Sequence, residues 1–490
     1  MRLIKSFKID KTEIKINLGN LFYKKKNIFI FGNPINLKKK NISTKNLLLN
    51  YKKIIGYFFI IIVKKKSVIL ITDVVSNKRV YYKKEGNSFS LFDKIEKKFL
   101  NRKDFNKDIF NFYKFKNYTP GNLTFFNNIF KFEPCTIFEI KNNKLYKKNY
   151  FQNFINNPDK KLLKKKIHIY LNKILSLLKG KTIILLFSGG KDSTLIFKYL
   201  LKNKINFKPV YISTSPSTYE TEINLDTAKK ICFENNIELN IFFVKLKNYQ
   251  NQVTTFISKH LVFDYHFSLI FYQGIKLLKK KYGKNITILT GQSLDSVLSF
   301  GSSQYTYGNF ISRFMTFYPF SVVTKLFCQI LKFKFNKDFT LATTASKFYR
   351  NFYFSFFYYP VYFNLKISNI FFDSLLLSIT HIKNHISKLM YLKIHGFLQG
   401  ADNMVILKSA NVNGINSVFM PFASYYFIAN ICKYYNFRTD IFFPKYIVKM
   451  LLNNFSREVK IKKISFKKKL SILDKRLKSV VIKNFYKSYA

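Results

Sequence analysis

Tryptophan is absent from this chain of 490 residues, and glycine, proline and cysteine are scarce, with 16, 10 and 4 copies. The cysteines are widely spaced and form no Cys-x-x-Cys pair; they are Cys135, Cys232, Cys328 and Cys432. Without such a pair, the sequence supports neither a structural zinc cluster nor a dithiol redox motif. Few, scattered cysteines are typical of a reducing compartment, so we expect a cytoplasmic protein.

Long apolar runs are missing as well. The longest one near the start of the chain, Ile54–Val63, has ten residues. A helix that crosses a bilayer needs about 20 predominantly apolar residues. The first residues also lack the apolar centre of a secretory signal peptide. We therefore expect no membrane span.

Acidic residues are few compared with basic ones. The chain has 25 Asp and Glu against 85 Lys and Arg, which gives a formal charge of +60. Lysine clusters occur throughout the sequence, together with abundant Phe and Tyr, as an A+T-rich genome would produce. Codon bias is therefore favoured over a dedicated polyanion site, although non-specific binding of polyanions at low salt is expected. A homodimer is compatible with this sequence.

The length of the chain favours two or three domains. Residues 1–155 contain short apolar and aromatic runs separated by turn residues, which predicts an α+β layered domain. Residues 156–490 form the second predicted domain, with an aromatic insertion at about 303–385 and a mainly helical end. From Lys181 onward, strand-like and helix-like runs alternate, which predicts an α/β fold with a doubly wound parallel sheet.

One short loop carries most of the chemistry. The residues Ser188-Gly189-Gly190-Lys191-Asp192-Ser193 follow a strand-like run and precede a helix-like run. A glycine-rich turn at a helix N-terminus binds phosphate through backbone N–H groups and the positive end of the helix dipole. The hydroxyls of the serines can donate further hydrogen bonds, and Asp192 can hold Mg²⁺ that bridges phosphate oxygens.

A second polar turn follows another predicted strand. The sequence Gly291-Gln292-Ser293-Leu294-Asp295-Ser296 comes directly after an apolar run that ends at Thr290. Parallel strands bring their carboxyl ends to one edge of a sheet, so Asp192 and Asp295 are predicted to share one Mg²⁺. Metal at this place would stabilise negative charge on pyrophosphate oxygens.

Neighbouring positions complete the predicted nucleotide site. Phe187 lies directly before the loop, and Val210 and Ile212 lie on the next predicted strand, whose backbone would flank an adenine. The adenine assignment rests on the topology of doubly wound nucleotide-binding folds.

The first loop resembles the S-G-G-x-D-S motif of PP-loop ATP pyrophosphatases, and the order of motifs resembles that of asparagine synthetase and its relatives. Downstream, Gly400–Met404 and the stretch that ends at Pro421-Phe422 are similar to later segments of that family. The run Thr124–Pro134 is similar to its N-terminal glutaminase domain, which is an Ntn-hydrolase-like fold. The resemblance covers nearly the whole chain.

The resemblance implies an ATP-dependent ligase that joins carbon to nitrogen. Such an enzyme adenylates a carboxylate, releases pyrophosphate and lets an amine attack, with ATP and Mg²⁺ as cofactors. Lys445 matches the late family lysine and would stabilise the charge of the adenylate and pyrophosphate, beside Asp295 as a second catalytic residue. The substrates would be a small-molecule or peptide carboxylate and an amine.

Two departures from the family pattern limit this interpretation. Arg2 stands where glutamine-hydrolysing relatives carry the catalytic cysteine, so the front domain is predicted to be a degenerate glutaminase. Gln292 stands where asparagine-forming relatives have Glu, and an amide cannot accept a proton at neutral pH. Three alternatives stay open: an ammonia-using asparagine synthetase, a tRNA-modifying PP-loop enzyme, and a catalytically inactive scaffold.

Overall fold

A computed structural model gives the fold of residues 2–9, 11–95, 102–116, 118–119, 121–215, 219–245, 268–298, 321–323, 326, 329, 375–443 and 445–453. The predicted aromatic insertion at about 303–385 lies largely outside these residues. Within the described ranges, no helix combines the length and the apolarity that a bilayer crossing requires.

The N-terminal part consists of strands and short helices. Their bounds are β1 (Arg2–Ile9), β2 (Thr12–Gly19), β3 (Leu21–Lys25), β4 (Ile28–Pro34), α1 (Thr44–Asn50), β5 (Gly56–Val63), β6 (Val68–Thr72), β7 (Tyr81–Glu85), β8 (Ser88–Phe92), α2 (Lys107–Lys116), β9 (Ile129–Lys131), β10 (Thr136–Lys141) and β11 (Lys144–Asn149). These strands form two sheets, in the orders β1-β2-β8-β7-β9 and β11-β10-β6-β5-β4-β3.

The pattern of apolar residues explains how these sheets are layered. Strand β2 alternates, with Ile14, Ile16 and Leu18 buried between more exposed residues. Alternation of this kind means that one face of the sheet packs on a core. Strand β5 is instead buried almost throughout. It lies in a sheet that is covered on both faces, with Phe59 in one apolar cluster and Ile60 in another.

The second part is built on a parallel sheet. Its strands and helices up to residue 298 are α3 (Lys160–Ser176), β12 (Ile183–Leu186), α4 (Lys191–Lys202), β13 (Lys208–Ser215), α5 (Tyr219–Glu234), β14 (Asn240–Lys245), α6 (Leu269–Tyr282), β15 (Thr287–Thr290) and α7 (Leu294–Leu298). With β16 (Ser417–Phe419) they give the strand order β14-β13-β12-β15-β16, and every neighbouring pair is parallel.

Helices dominate the last described segment. They are α8 (His385–Lys393), a π-helical stretch (Ile394–Asp402), α9 (Met404–Val412), α10 (Tyr425–Tyr434), α11 (Phe437–Phe442) and α12 (Tyr446–Leu452). This segment also contacts the N-terminal part, since the Tyr57 hydroxyl donates to the carbonyl oxygen of Asn416 at 2.6 Å and the Asn33 amide donates to the Ser417 hydroxyl at 3.3 Å.

The predicted α/β class and the doubly wound parallel sheet are confirmed. The chain leaves β12 toward β13 and β14 and then returns to the other side of β12 as β15, so helices connect the strands in both directions. The boundary expected near residue 155 falls in the stretch between β11 and α3. Because one apolar cluster runs across this stretch, the division into domains stays a prediction.

The buried position of β15 gives a first testable prediction. Ile288 lies in the middle of β15 with 0% exposure, whereas Ile4 on β1 is 78% exposed. Ile288→Ala should lower the free energy of unfolding by about 2–5 kcal/mol because it leaves a cavity. Ile4→Ala should change it by less than about 0.5 kcal/mol. Urea denaturation measures both values, and equal values would contradict this assignment of the core.

Candidate active site

The candidate site lies where the strand order of the parallel sheet reverses. Strands β12 and β15 are neighbours, with Leu186 opposite Thr290 in the register. The loop 188–190 leaves the end of β12, and the turn 291–293 leaves the end of β15. In doubly wound folds, ligands bind in the crevice beyond the carboxyl ends of the strands at such a point.

The first loop is shaped by its glycines. Gly189 has a positive φ of 70°, and a Cβ there would lie 2.8 Å from the backbone nitrogen of Ala228 in α5. Gly190 is the N-cap of α4 and has no side chain to cap the first turn. The Ser193 hydroxyl donates to the Gly190 carbonyl oxygen at 3.1 Å and lies 3.3 Å from the Ser188 hydroxyl. The loop therefore turns sharply and packs its backbone against α5.

The two loops touch each other through Gly291. A Cβ at this residue would lie 2.8 Å from the carbonyl carbon of Asp192 and 2.9 Å from the nitrogen of Ser193. Such distances are shorter than normal packing allows, so only glycine fits here without a shift of the backbone. The close contact fixes the second turn against the first turn of α4.

Three charged side chains meet beside these loops. The ammonium nitrogen of Lys445 donates to both carboxylate oxygens of Asp192 at 2.8 Å each and lies 3.1 Å from Oδ1 of Asp295. Asp192 is in the first turn of α4 and Asp295 is in the first turn of α7. The side chains are 15% exposed for Lys445, 23% for Asp192 and 37% for Asp295. Residues far apart in sequence thus form one partly buried ionic cluster.

The backbone of Lys445 is held in an uncommon conformation. Its φ of 54° is left-handed, and it precedes α12 as the N-cap. The buried carboxylate of Asp440 accepts a hydrogen bond from the Lys445 backbone nitrogen at 2.6 Å and another from the Tyr435 hydroxyl. The Tyr435 ring stacks on Tyr446 at 4.9 Å between ring centroids. These contacts direct the lysine side chain toward the two aspartates.

The electrostatics of the cluster favour the charged lysine. Burial by itself lowers the pKa of the Lys445 ammonium, but the charges of Asp192 and Asp295 and their hydrogen bonds outweigh this effect. The pKa of Lys445 therefore lies above its usual value, and the side chain stays protonated at neutral pH.

The donor set of the cluster fits Mg²⁺ with phosphate. Mg²⁺ is usually bound by one or two carboxylates together with substrate phosphate oxygens and water. Asp192 and Asp295 already converge on one cation, the Lys445 ammonium, from neighbouring strand ends. The described residues contain no group of three or more His, Cys, Asp or Glu side chains that could hold a metal. Phosphate and water would therefore have to supply the other ligands.

The side chains at the other three expected nucleotide-binding positions pack against neighbouring protein groups. The Phe187 side chain is buried and stacks on Phe197 in α4, with 4.9 Å between the ring centroids. Its backbone nitrogen donates to the carbonyl oxygen of Val210, which is also buried. Ile212 packs against Gly274 in α6. These three side chains thus pack against protein, and a role in adenine binding remains a prediction for their backbone alone.

Sequence reasoning missed several residues that shape the site. No motif of the sequence marks Asp440. Its role is to accept a hydrogen bond from the backbone of Lys445, and this contact exists only in the folded chain. Asn403 and Ser293 belong to segments that the sequence singled out, but their hydrogen bond to each other in the interior was not predicted. The scarcity of acidic residues is the one signal that could have singled out Asp440.

No family model matches this sequence, and no curated protein matches it. Many solved structures show local similarity. Three of them are an NH3-dependent NAD synthetase from Campylobacter jejuni (19% identity, 29% of this chain and 60% of that one, TM-score 0.21), an NMN synthetase from Francisella tularensis (10%, 29% and 58%, 0.20) and a U34-tRNA thiolase from Methanococcus maripaludis (18%, 48% and 77%, 0.22).

The chain spans less than two thirds of the NAD synthetase and of the NMN synthetase. All three TM-scores are far below 0.5, so these similarities carry no argument about function. The description of the site rests on the contacts within this chain.

The close contact of Gly291 with α4 predicts that adding a methyl group at residue 291 disturbs the candidate site. Gly291→Ala should displace the turn that carries Asp295 and weaken binding of Mg²⁺–ATP about tenfold or more. Gly86→Ala is the control, because no atom lies within 4 Å of a Cβ at Gly86; unlike Gly291, Gly86 has a left-handed backbone with φ 53°. It should cost about 1 kcal/mol of stability and leave nucleotide affinity unchanged. Equal affinities for both variants, measured by calorimetry, would contradict the proposed contact.

The charge of Lys445 predicts a pH-dependent effect on stability. In the wild type, the pKa of Lys445 is raised on folding. The charged lysine therefore stabilises the folded protein at all pH values below about 10, and this stabilisation is lost only at higher pH. Lys445→Met should cost about 1–3 kcal/mol at pH 8, because the two aspartates then repel each other. Protonation of a carboxylate relieves this repulsion, so the loss should be smaller at pH 5.

The exposed Lys449 on α12 provides the control, since Lys449→Met should have little effect at either pH. Chemical denaturation at both pH values measures the free energies of unfolding. A loss for Lys445→Met that is the same at pH 5 and pH 8 would rule out repulsion between Asp192 and Asp295 as its cause.

Proposed function

We propose that this protein is an ATP-dependent carbon–nitrogen ligase of the asparagine synthetase type. It activates a substrate carboxylate by adenylation, with release of pyrophosphate, and an amine then attacks to give an amide and AMP. The observation that carries the proposal is the ionic cluster of Asp192, Lys445 and Asp295. It lies beside the glycine-containing loop 188–190, where the strand order of the parallel sheet reverses.

The loop and helix α4 would bind the phosphates of ATP. A phosphate beyond Gly190 would lie at the positive end of the dipole of α4, which has 12 residues. The hydroxyls of Ser188 and Ser193 point into the same turn, since they lie 3.3 Å apart. Such a site recognises the β and γ phosphates through backbone and hydroxyl donors rather than through a Walker-type lysine.

Lys445 would stabilise the negative charge that develops as the bond between the α and β phosphates breaks. Its high pKa keeps the ammonium charged throughout the reaction, so it acts as an electrostatic group and not as a proton donor or base. Asp192 and Asp295 orient this ammonium before the substrate binds. Bound Mg²⁺ would supply further charge neutralisation at the pyrophosphate oxygens, held by the same two carboxylates.

The amine is proposed to be ammonia or a group on the substrate itself, without hydrolysis of glutamine. Burial raises the pKa of the Cys135 and Cys432 thiols well above the usual range, which makes both poor nucleophiles. Gln292 also lacks the carboxylate that a general base for ammonia would need. An amine that is already held by the substrate would depend least on such a base.

A tRNA-modifying activity is the second candidate, because the formal charge of +60 favours binding of a polyanion. It uses the same adenylating site with a tRNA base as the acceptor. Purification at low salt followed by treatment with ribonuclease distinguishes the two candidates. A specific bound tRNA would favour modification, whereas a mixture of RNA that dissociates with salt would reflect the surface charge alone.

Replacement of Asp192 tests the proposed reaction. With Mg²⁺, ATP, ammonia and a panel of carboxylic acids, the wild type should release pyrophosphate, and Asp192→Asn should lower this rate by on the order of a hundredfold or more. Asp108→Asn is the matched control, because Asp108 is also an acidic residue in the first turn of a helix, α2, but lies in the N-terminal part. It should leave the rate unchanged.

Two results would contradict the proposal. An equal rate for wild type and Asp192→Asn would place the activity elsewhere in the protein. Tight binding of ATP by a wild type that releases no pyrophosphate with any acceptor would instead favour the inactive scaffold.

A further inference from the structure

A chain of buried hydrogen bonds connects the N-terminal part to the turn that carries Asp295. The Nδ2 group of Asn403 donates to Oδ1 of Asn77 at 3.1 Å, and Oδ1 of Asn403 accepts a hydrogen bond from the Ser293 hydroxyl. The exposures are 7% for Asn77, 0% for Asn403 and 2% for Ser293. The NH2 group of the Asn403 amide thus bonds to the N-terminal part, and its oxygen bonds to the turn of the second part.

The Asn77 end of this chain is fixed by an unusually well-bonded loop. The buried carboxylate of Asp73 accepts hydrogen bonds from the backbone nitrogens of Phe58, Val75, Asn77 and Lys78, at 2.9–3.2 Å. Four donors on one carboxylate hold the segment between β6 and β7 in a single conformation. Asn77 therefore lies in a well-ordered segment of the N-terminal part, which fixes its position.

The Ser293 end reaches the candidate active site directly. Ser293 has a left-handed backbone with φ 76°, and its carbonyl oxygen accepts from the Val297 nitrogen at 2.8 Å, at the start of α7. Asp295 lies two residues further on, in the first turn of that helix. A non-glycine residue in this conformation is unfavourable alone, so surrounding contacts must stabilise it. The hydrogen bond to Asn403 is such a contact.

We propose that the N-terminal part acts as a positioning element for the synthetase site, through the series Asn77–Asn403–Ser293. Asn77 orients the Asn403 amide, which holds the hydroxyl of Ser293 and thereby sets the turn that places Asp295 against Lys445. Asn77 and Asn403 are positioning residues in this scheme, since neither touches the charged cluster. This positioning role would affect catalysis only if the protein is the proposed ligase, so in that respect it rests on the proposed function.

The test measures the environment of Lys445 and needs neither ATP nor an acceptor. If the turn shifts, Lys445 loses the contact with Asp295 at 3.1 Å, and its amine becomes more accessible to a reagent. Acylation of Lys445 by an amine-reactive reagent at pH 8, followed by peptide mass spectrometry, should be about three- to tenfold faster in Asn77→Ala and in Ser293→Gly, because the ion pair with Asp295 no longer holds the amine. Glycine is chosen at 293 because it accepts a positive φ, so that only the hydroxyl is lost.

The control variant is Asn33→Ala. Asn33 also donates hydrogen bonds from the N-terminal part to the second part, but its acceptors are Ser417 and Val418 and not the turn 291–295. It should leave the labelling rate of Lys445 unchanged. The exposed Lys181 serves as an internal standard in every sample, and circular dichroism confirms that each variant is folded.

A double variant separates positioning from general destabilisation. Because the hydrogen bonds are in series, loss of either end already breaks the connection, so Asn77→Ala with Ser293→Gly should label Lys445 no faster than the single variants. Rates that multiply in the double variant, or a folded Asn77→Ala with the labelling rate of the wild type, would overturn the proposal. Failure of the wild type to release pyrophosphate would contradict the ligase alone and leave this result interpretable.

Discussion

The ion pair network of Lys445 with Asp192 and Asp295 is the interaction on which the candidate site depends. It brings together the starts of three helices, α4, α7 and α12, that are separated by up to 253 residues in sequence. Two partly buried carboxylates this close would repel each other without a cation. The ammonium therefore both stabilises the site and prepares an electrostatic environment for an anionic ligand.

Each of the three helix starts is held by a different device. At α4, glycines allow close backbone contacts, and Gly291 fits against Asp192 and Ser193 where a Cβ would collide. At α12, the buried Asp440 holds the left-handed backbone of Lys445. At α7, the Asn403 amide holds the turn. The site is thus fixed by its surroundings before any ligand binds, which is the property that electrostatic catalysis requires.

Local patterns in the sequence were sufficient to predict the fold class and the position of the loops. The alternation of strands and helices after Lys181 and the glycines beside Ser188 follow from short-range rules. Strand β12 begins at Ile183, and β15 ends at Thr290, where the apolar run of the sequence ends. The pairing of Lys445 with Asp192 depends on tertiary packing, which no periodicity encodes. Lysine is so common in this chain that its type alone distinguishes no position.

Dependence on tertiary packing also explains which residues the sequence did not indicate. Asp440, Asn403 and Asn77 are polar residues whose partners lie far away along the chain, and Asn403 becomes important only because a loop of the N-terminal part packs against it. The backbone of the strand that carries Val210 and Ile212 was expected to flank an adenine, and that assignment stays a prediction. The side chains of Phe187 and Val210 fill the interior.

A crystal structure with Mg²⁺ and a non-hydrolysable ATP analogue, methylene-bridged between the α and β phosphates, tests the central claim most directly. We predict the β and γ phosphates against the backbone of residues 188–193, with the metal ligated by Asp192 and Asp295 and the Lys445 ammonium on the phosphate oxygens. A nucleotide bound elsewhere, with Lys445 still paired to both aspartates, would contradict it.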